Sequence, residues 1–112
     1  MARTFRMYLP QQRSGWKWFN WGIQVGQFLA PPVVHISACE ARIDPMSLFG
    51  DLSSIIPVTG NAGVYVANVV PSVNPGGTLH VDFFLVVFSE NQINVCCDIT
   101  VFDPPEGGVI AK

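Results

Sequence analysis

Between Leu79 and Phe102 the chain carries two apolar stretches separated by the polar tetrad Ser89-Glu90-Asn91-Gln92. The odd positions Leu79, Val81, Phe83, Leu85 and Val87, then Ile93, Val95, Cys97, Ile99 and Val101, are apolar without a break. Successive side chains of a strand point to opposite faces, so this set predicts two strands that lay one face on a core. Pairing odd with odd across a three-residue loop, Glu90-Asn91-Gln92, predicts a hairpin in which Phe83 faces Ile99 and Leu85 faces Cys97. The even positions begin polar, at His80 and Asp82 with Asp98 and Thr100 on the returning strand. They then turn oily at Phe84, Val86 and Phe88, and Phe102 follows the second strand. An outer face of that kind predicts a contact surface at Phe84, Val86, Phe88 and Phe102.

The 112 residues allow one domain with one core. Hydrophobic residues make up 49% and charged residues 12%, about half the usual charged share, and the mean hydropathy is +0.35. No apolar run approaches the roughly 18 to 20 residues of a spanning helix, so the composition is read as burial against other copies of the chain. The first ten residues, Met1 to Pro10, lack the apolar centre of a secretory signal. Cys39, Cys96 and Cys97 are odd in number, and neighbouring strand residues such as Cys96 and Cys97 point to opposite faces. Free thiols in a cytoplasmic or other reducing compartment are therefore expected.

Net charge is −2, unevenly spread. Arg3, Arg6, Arg13 and Lys17 lie in the first seventeen positions, and every acidic residue follows, from Glu40 onward. This predicts a basic N-terminal arm over residues 1–13 on a mildly acidic body. Four spaced cations and a pI near 5.4 do not make a nucleic-acid-binding surface.

Gly, Pro and Asn interrupt the chain often, and little of it keeps helical spacing. Thr4 to Leu9 is expected as an edge strand stopped by Pro10, and Trp16 to Phe28 as a strand bent near Gly22 or Gly26. In Val33 to Ile43 the apolar parity switches between Ala38 and Cys39, which predicts a bulge there. Asp44-Pro45 can start one short helical turn running to Leu52. Ser54 to Val58 and Val64 to Val70 are further strands, the second closed by Pro71 and the turn Asn74-Pro-Gly-Gly77. Residues 103–112 form a Gly/Pro-rich tail. Seven short strands at this spacing predict an all-β, antiparallel β-sandwich, with a squashed β-barrel as the alternative.

All three tryptophans fall within Trp16-Lys-Trp-Phe-Asn-Trp21. On a strand, Phe19, Trp21, Ile23 and Val25 share the core face, while Trp16, Trp18, Asn20 and Gln24 share the other. Indoles beside amides suit the apolar face and hydroxyls of a sugar ring, and aromatics are equally enriched at protein interfaces. His80, Asp82, Asp98 and Thr100 would meet across the hairpin, where a His with two carboxylates can bind a metal or act as a general base; ordinary cross-strand pairing is the plainer reading. His35 is expected to be structural. The chain has no Gly-x-Ser-x-Gly, Cys-x-x-Cys or phosphate loop, and neither catalytic residues nor a metal or cofactor are expected.

These features predict a non-enzymatic β-sandwich that associates with itself as a structural or interaction protein, as a dimer or a larger oligomer. The alternative is a lectin-like, carbohydrate-binding module using Trp16, Trp18, Asn20 and Gln24.

Overall fold

The computed structural model describes residues 2–26, 30–44 and 54–111. The alternating segments form strands β1 (Arg3–Gln12), β2 (Gly15–Gln24), β3 (Val34–Ile43), β4 (Ile55–Pro57), β5 (Gly63–Val73), β6 (Thr78–Phe88) and β7 (Ile93–Val101). They build two antiparallel sheets, one ordered β1-β7-β3-β4 and the other β2-β6-β5. This is the all-β architecture expected from the spacing. The helical turn expected after Asp44 and the far end of the expected strand at Phe28 lie outside the described residues.

The expected hairpin over Leu79–Phe102 does not form. β6 is the middle strand of its sheet, between β2 and β5, while β7 lies between β1 and β3 in the other sheet. Phe83 pairs with Phe19 of β2, and Ile99 pairs with Phe5 and Ile36. The tetrad Ser89–Gln92 therefore arches from one sheet to the other. Alternation names the buried face correctly all the same. Strands on either side of a sandwich both turn one parity into the gap, as the two strands of a hairpin do. Leu79, Val81, Phe83, Leu85, Val87, Val95, Cys97, Ile99 and Val101 form the buried core together with Ile36.

β1 and β2 run beside β7 and β6, so two consecutive strand pairs straddle the same two sheets. Their arches are joined: the Ser89 N–H donates to Ser14 Oγ at 2.7 Å, and the Ser14 hydroxyl donates to the Ser89 carbonyl. Residues 3–12 of the basic N-terminal stretch are a sheet edge, with Phe5, Met7 and Leu9 packed on the core.

β3 pairs with β7 residue for residue from Val34 to Ala41, so the bulge expected at Ala38–Cys39 is absent. Cys39 lies opposite Cys96 on the outer face, and Ala41 is buried there because β4 places Pro57 beside it. The irregularities fall elsewhere. One interrupts β1 between Leu9 and Gln12, with Gln11 at φ 53°, and one interrupts β5 between Ala67 and Val70, with Asn68 at φ 59°. The second places Asn68 and Val69 opposite Phe83 alone, which returns Val69 and Val73 to the core side already occupied by Val64 and Val66. β5 continues through Pro71 to Val73 because it is an edge strand, where a missing N–H can face away from the ladder.

Candidate contact surface on the outer face of the three-stranded sheet

The register of β2, β6 and β5 arranges the outward side chains in rows. Trp16, Val86 and Tyr65 form one row, and Trp18, Phe84 and Ala67 the next. Asn20, Asp82 and Val70 follow, then Gly22, His80 and Ser72, and finally Gln24 beside Thr78. Phe88 stands beyond the first row, opposite Gly63. Residues from separate stretches of the sequence, namely Trp16, Trp18, Asn20, Gln24, His80, Asp82, Phe84, Val86 and Phe88, thus share one face.

The face has an aromatic half and a polar half. In the aromatic half the Phe84 ring centroid lies 5.0 Å from both Trp16 and Trp18, and Tyr65 lies 6.4 Å from Phe88. These neighbours cover much of the oily even side of β6, leaving Val86 only 8% exposed. The exposure passes outward to the covering rings: Trp16 is 69% exposed, Phe88 63%, Tyr65 49% and Trp18 47%. Tyr65 and Val70 were not among the residues singled out from the sequence. Their signal was the parity opposite to Val64 and Val66, obscured at Val70 by the irregularity at Asn68.

In the polar half the side chains satisfy one another. Asn20 Nδ2 donates to Asp82 Oδ1 at 2.7 Å, and Thr78 Oγ1 donates to Gln24 Oε1 at 2.9 Å. Gln24 Nε2 also donates to the Gly76 carbonyl at 2.8 Å, and Asn74 Nδ2 lies 3.4 Å from His80 Nε2. The amides beside the tryptophans are therefore engaged within the chain.

Asp98 and Thr100 do not meet His80 and Asp82. With β6 and β7 in different sheets, the outward parities of the two strands lie on opposite outer faces of the sandwich, so the expected polar cluster is not assembled. Asp98 accepts two hydrogen bonds from Arg6 of β1, at 2.7 Å from Nε and 2.9 Å from Nη2. The guanidinium holds the Asp98 carboxyl below the usual carboxylate range, and Asp98 in turn raises the pKa of Arg6. Thr100 Oγ1 lies 3.0 Å from Thr4 Oγ1. Among the described residues, no three His, Cys, Asp or Glu side chains are placed to hold a metal ion. Phe102 also lies away from the aromatic face, past the end of β7, where its N–H donates to the Val33 carbonyl at 2.8 Å.

The thiols divide between the two sides of the four-stranded sheet. Cys97 is in the core, and burial pushes its pKa up to about 12. Cys96 is buried on the outer side, raised to about 11 first by burial and then by Asp98.

A cavity of about 720 Å³ opens at the end of the sandwich beneath the Ser89–Gln92 arch, with Phe88, Glu40 and Glu90 in its wall. A second, of about 450 Å³, lies at the β1–β2 arch and is lined by Arg13, Lys17 and Trp16 among others. No helix among the described residues is long and apolar enough to cross a membrane. Comparison with protein-family models, with curated proteins and with solved structures finds no match to this chain.

Proposed function

We propose that this chain is a non-enzymatic interaction protein that associates with copies of itself through the aromatic half of the β2-β6-β5 face. The observation that carries this reading is the continuous set of Trp16, Trp18, Tyr65 and Phe88 rings left exposed around Phe84 and Val86. Water gains nothing by wetting such a surface, and aromatic side chains are the residues that anchor interfaces.

A second copy suits the face because its two aromatic rows contain no charged residue, so two copies can meet there, as in a two-fold interface, without bringing like charges together. A net charge of −2 gives little repulsion between copies. Four aromatic side chains of about 150–250 Å² each, roughly half exposed, offer on the order of 400 Å² per copy. That is below the ~800 Å² per partner of a standard interface, so the pairing is a weak, concentration-dependent one.

Sedimentation velocity across a concentration series tests it. The mass is expected to rise with concentration for the parent chain and to stay monomeric for Trp16→Ser/Phe84→Ser. A parent chain that is monomeric throughout, or a double variant that associates equally well, overturns the reading.

A further inference from the structure

We infer that the cavity beneath the Ser89–Gln92 arch is a binding site for a neutral pyranose saccharide. Its volume, about 720 Å³, falls in the range of small-molecule sites. Its wall brings together Glu40 from β3, Asn61 from the turn before β5, Phe88 from the end of β6, and Glu90, Asn91 and Gln92 from the arch.

Chemistry selects the ligand class. Among the described residues the lining holds two carboxylates and no cationic side chain, which disfavours phosphates, carboxylates and nucleic acid. Three carboxamides each present an acceptor oxygen beside a donor nitrogen, a pattern that pairs with neighbouring hydroxyls that both give and take a proton. A bare cation would use only the oxygens. Carboxylates accept charge-assisted hydrogen bonds from sugar hydroxyls. Phe88, 63% exposed and the one aromatic residue of the described lining, would supply an apolar surface at the rim for the C–H face of a pyranose.

These polar groups are also available. On the sheet faces Arg6 is bonded to Asp98, Asn20 to Asp82 and Gln24 to Thr78. No protein hydrogen bond occupies the side chains of Glu40, Asn61, Glu90, Asn91 or Gln92 among the described residues. The Glu40 carboxylate is packed against Gly60, where any Cβ would collide with its oxygens. Gly60 is therefore a positioning residue for Glu40, and Gly60→Ala displaces the end of that flexible side chain without needing a backbone shift.

The test is a titration of the isotope-labelled chain with maltotriose, cellotriose, mannotriose and triacetylchitotriose, with calcium chloride as a separate arm, read by NMR. The expected result is saturable movement of the Asn61, Asn91 and Gln92 side-chain amide signals with at least one saccharide, while the Trp18 indole signal stays put. Glu40→Gln and Gly60→Ala are each expected to weaken that binding by roughly tenfold, the scale of a hydrogen bond to a charged group, with the rest of the spectrum unchanged. The inference is overturned if no saccharide moves these amides up to the millimolar range, if the movement centres on Trp18, or if calcium alone produces it. Phe88 also belongs to the proposed self-association surface, so the titration is repeated with Trp16→Ser/Phe84→Ser, in which the same amide signals report saccharide binding without self-association.

Discussion

Phe83 and Phe84 are adjacent in the chain and opposite in environment. Phe83 is completely buried and stacks on Phe19 with centroids 5.7 Å apart, whereas Phe84 lies on the outer face, 5.0 Å from Trp16 and from Trp18. Phe83→Ala is expected to cost about 3–5 kcal/mol through lost burial and the cavity left behind. Phe84→Ala is expected to cost about 1–2 kcal/mol, and to reduce self-association. Urea unfolding of both variants, paired with sedimentation of the Phe84 variant, checks this division of labour.

The Arg6–Asp98 pair ties the edge strand β1 to β7. Both side chains are 31% exposed, so water screens the pair and Asp98→Asn is expected to cost only about 0.5–1 kcal/mol at neutral pH. Because the folded state holds the Asp98 carboxyl below its unfolded value, the contribution is complete above the unfolded pKa of about 3.9 and is lost as pH falls through the lower folded value. Thermal unfolding measured downward from pH 6 should show the parent and Asp98→Asn converging at the acid end.

Thiol reactivity should follow position in the sheet. Cys96 and Cys97 are buried and their pKa values are raised to about 11 and about 12, so little thiolate exists at neutral pH. Cys39 is half-buried. Alkylation by iodoacetamide near pH 7.5, mapped by mass spectrometry, should mark Cys39 first, with the other two labelled only on unfolding. Raised thiol pKa values also predict stability that is complete below the unfolded thiol pKa, about 8.5, and declines as pH rises from there toward the folded values.

Asn68 holds a left-handed backbone, φ 59°, at the irregularity of β5. Asparagine tolerates that conformation and alanine does not. Asn68→Ala is expected to cost about 1 kcal/mol and Asn68→Gly much less, with the difference read from urea midpoints.

Phe83 and Phe84 also show how far the sequence could be read. Alternation states which face of a strand is buried, so the core from Leu79 to Val101 was visible without coordinates. It does not state which strand lies alongside. Ser89–Gln92 can close a hairpin or arch between sheets, and both keep Phe83 and Ile99 inside. The difference decides the fate of the polar residues: a hairpin would gather His80, Asp82, Asp98 and Thr100, while the arch sends them to opposite faces. In β3 the parity switch at Ala38–Cys39 looked like a bulge, but Ala41 gains its cover from Pro57 of β4, a contact distant in sequence. The aromatic face was half legible, through Trp16, Trp18, Phe84, Val86 and Phe88. Tyr65 joins them only because β5 borders β6.

The placement of β6 and β7 has a consequence for how the molecule is made. Among the described residues, the strands synthesised first, β1 and β2, have their ladder partners in β7 and β6, the last to be made. From Gln24 to Phe88, where the partner of β2 is complete, is 64 residues, which at about 5–20 residues per second is roughly 3–13 s of elongation. Throughout that interval a segment with three tryptophans has no ladder to join and is open to wrong partners. The chain therefore closes both sheets nearly at once and late, and a ribosome paused before β7 holds a nascent protein with no finished core for a chaperone to spare.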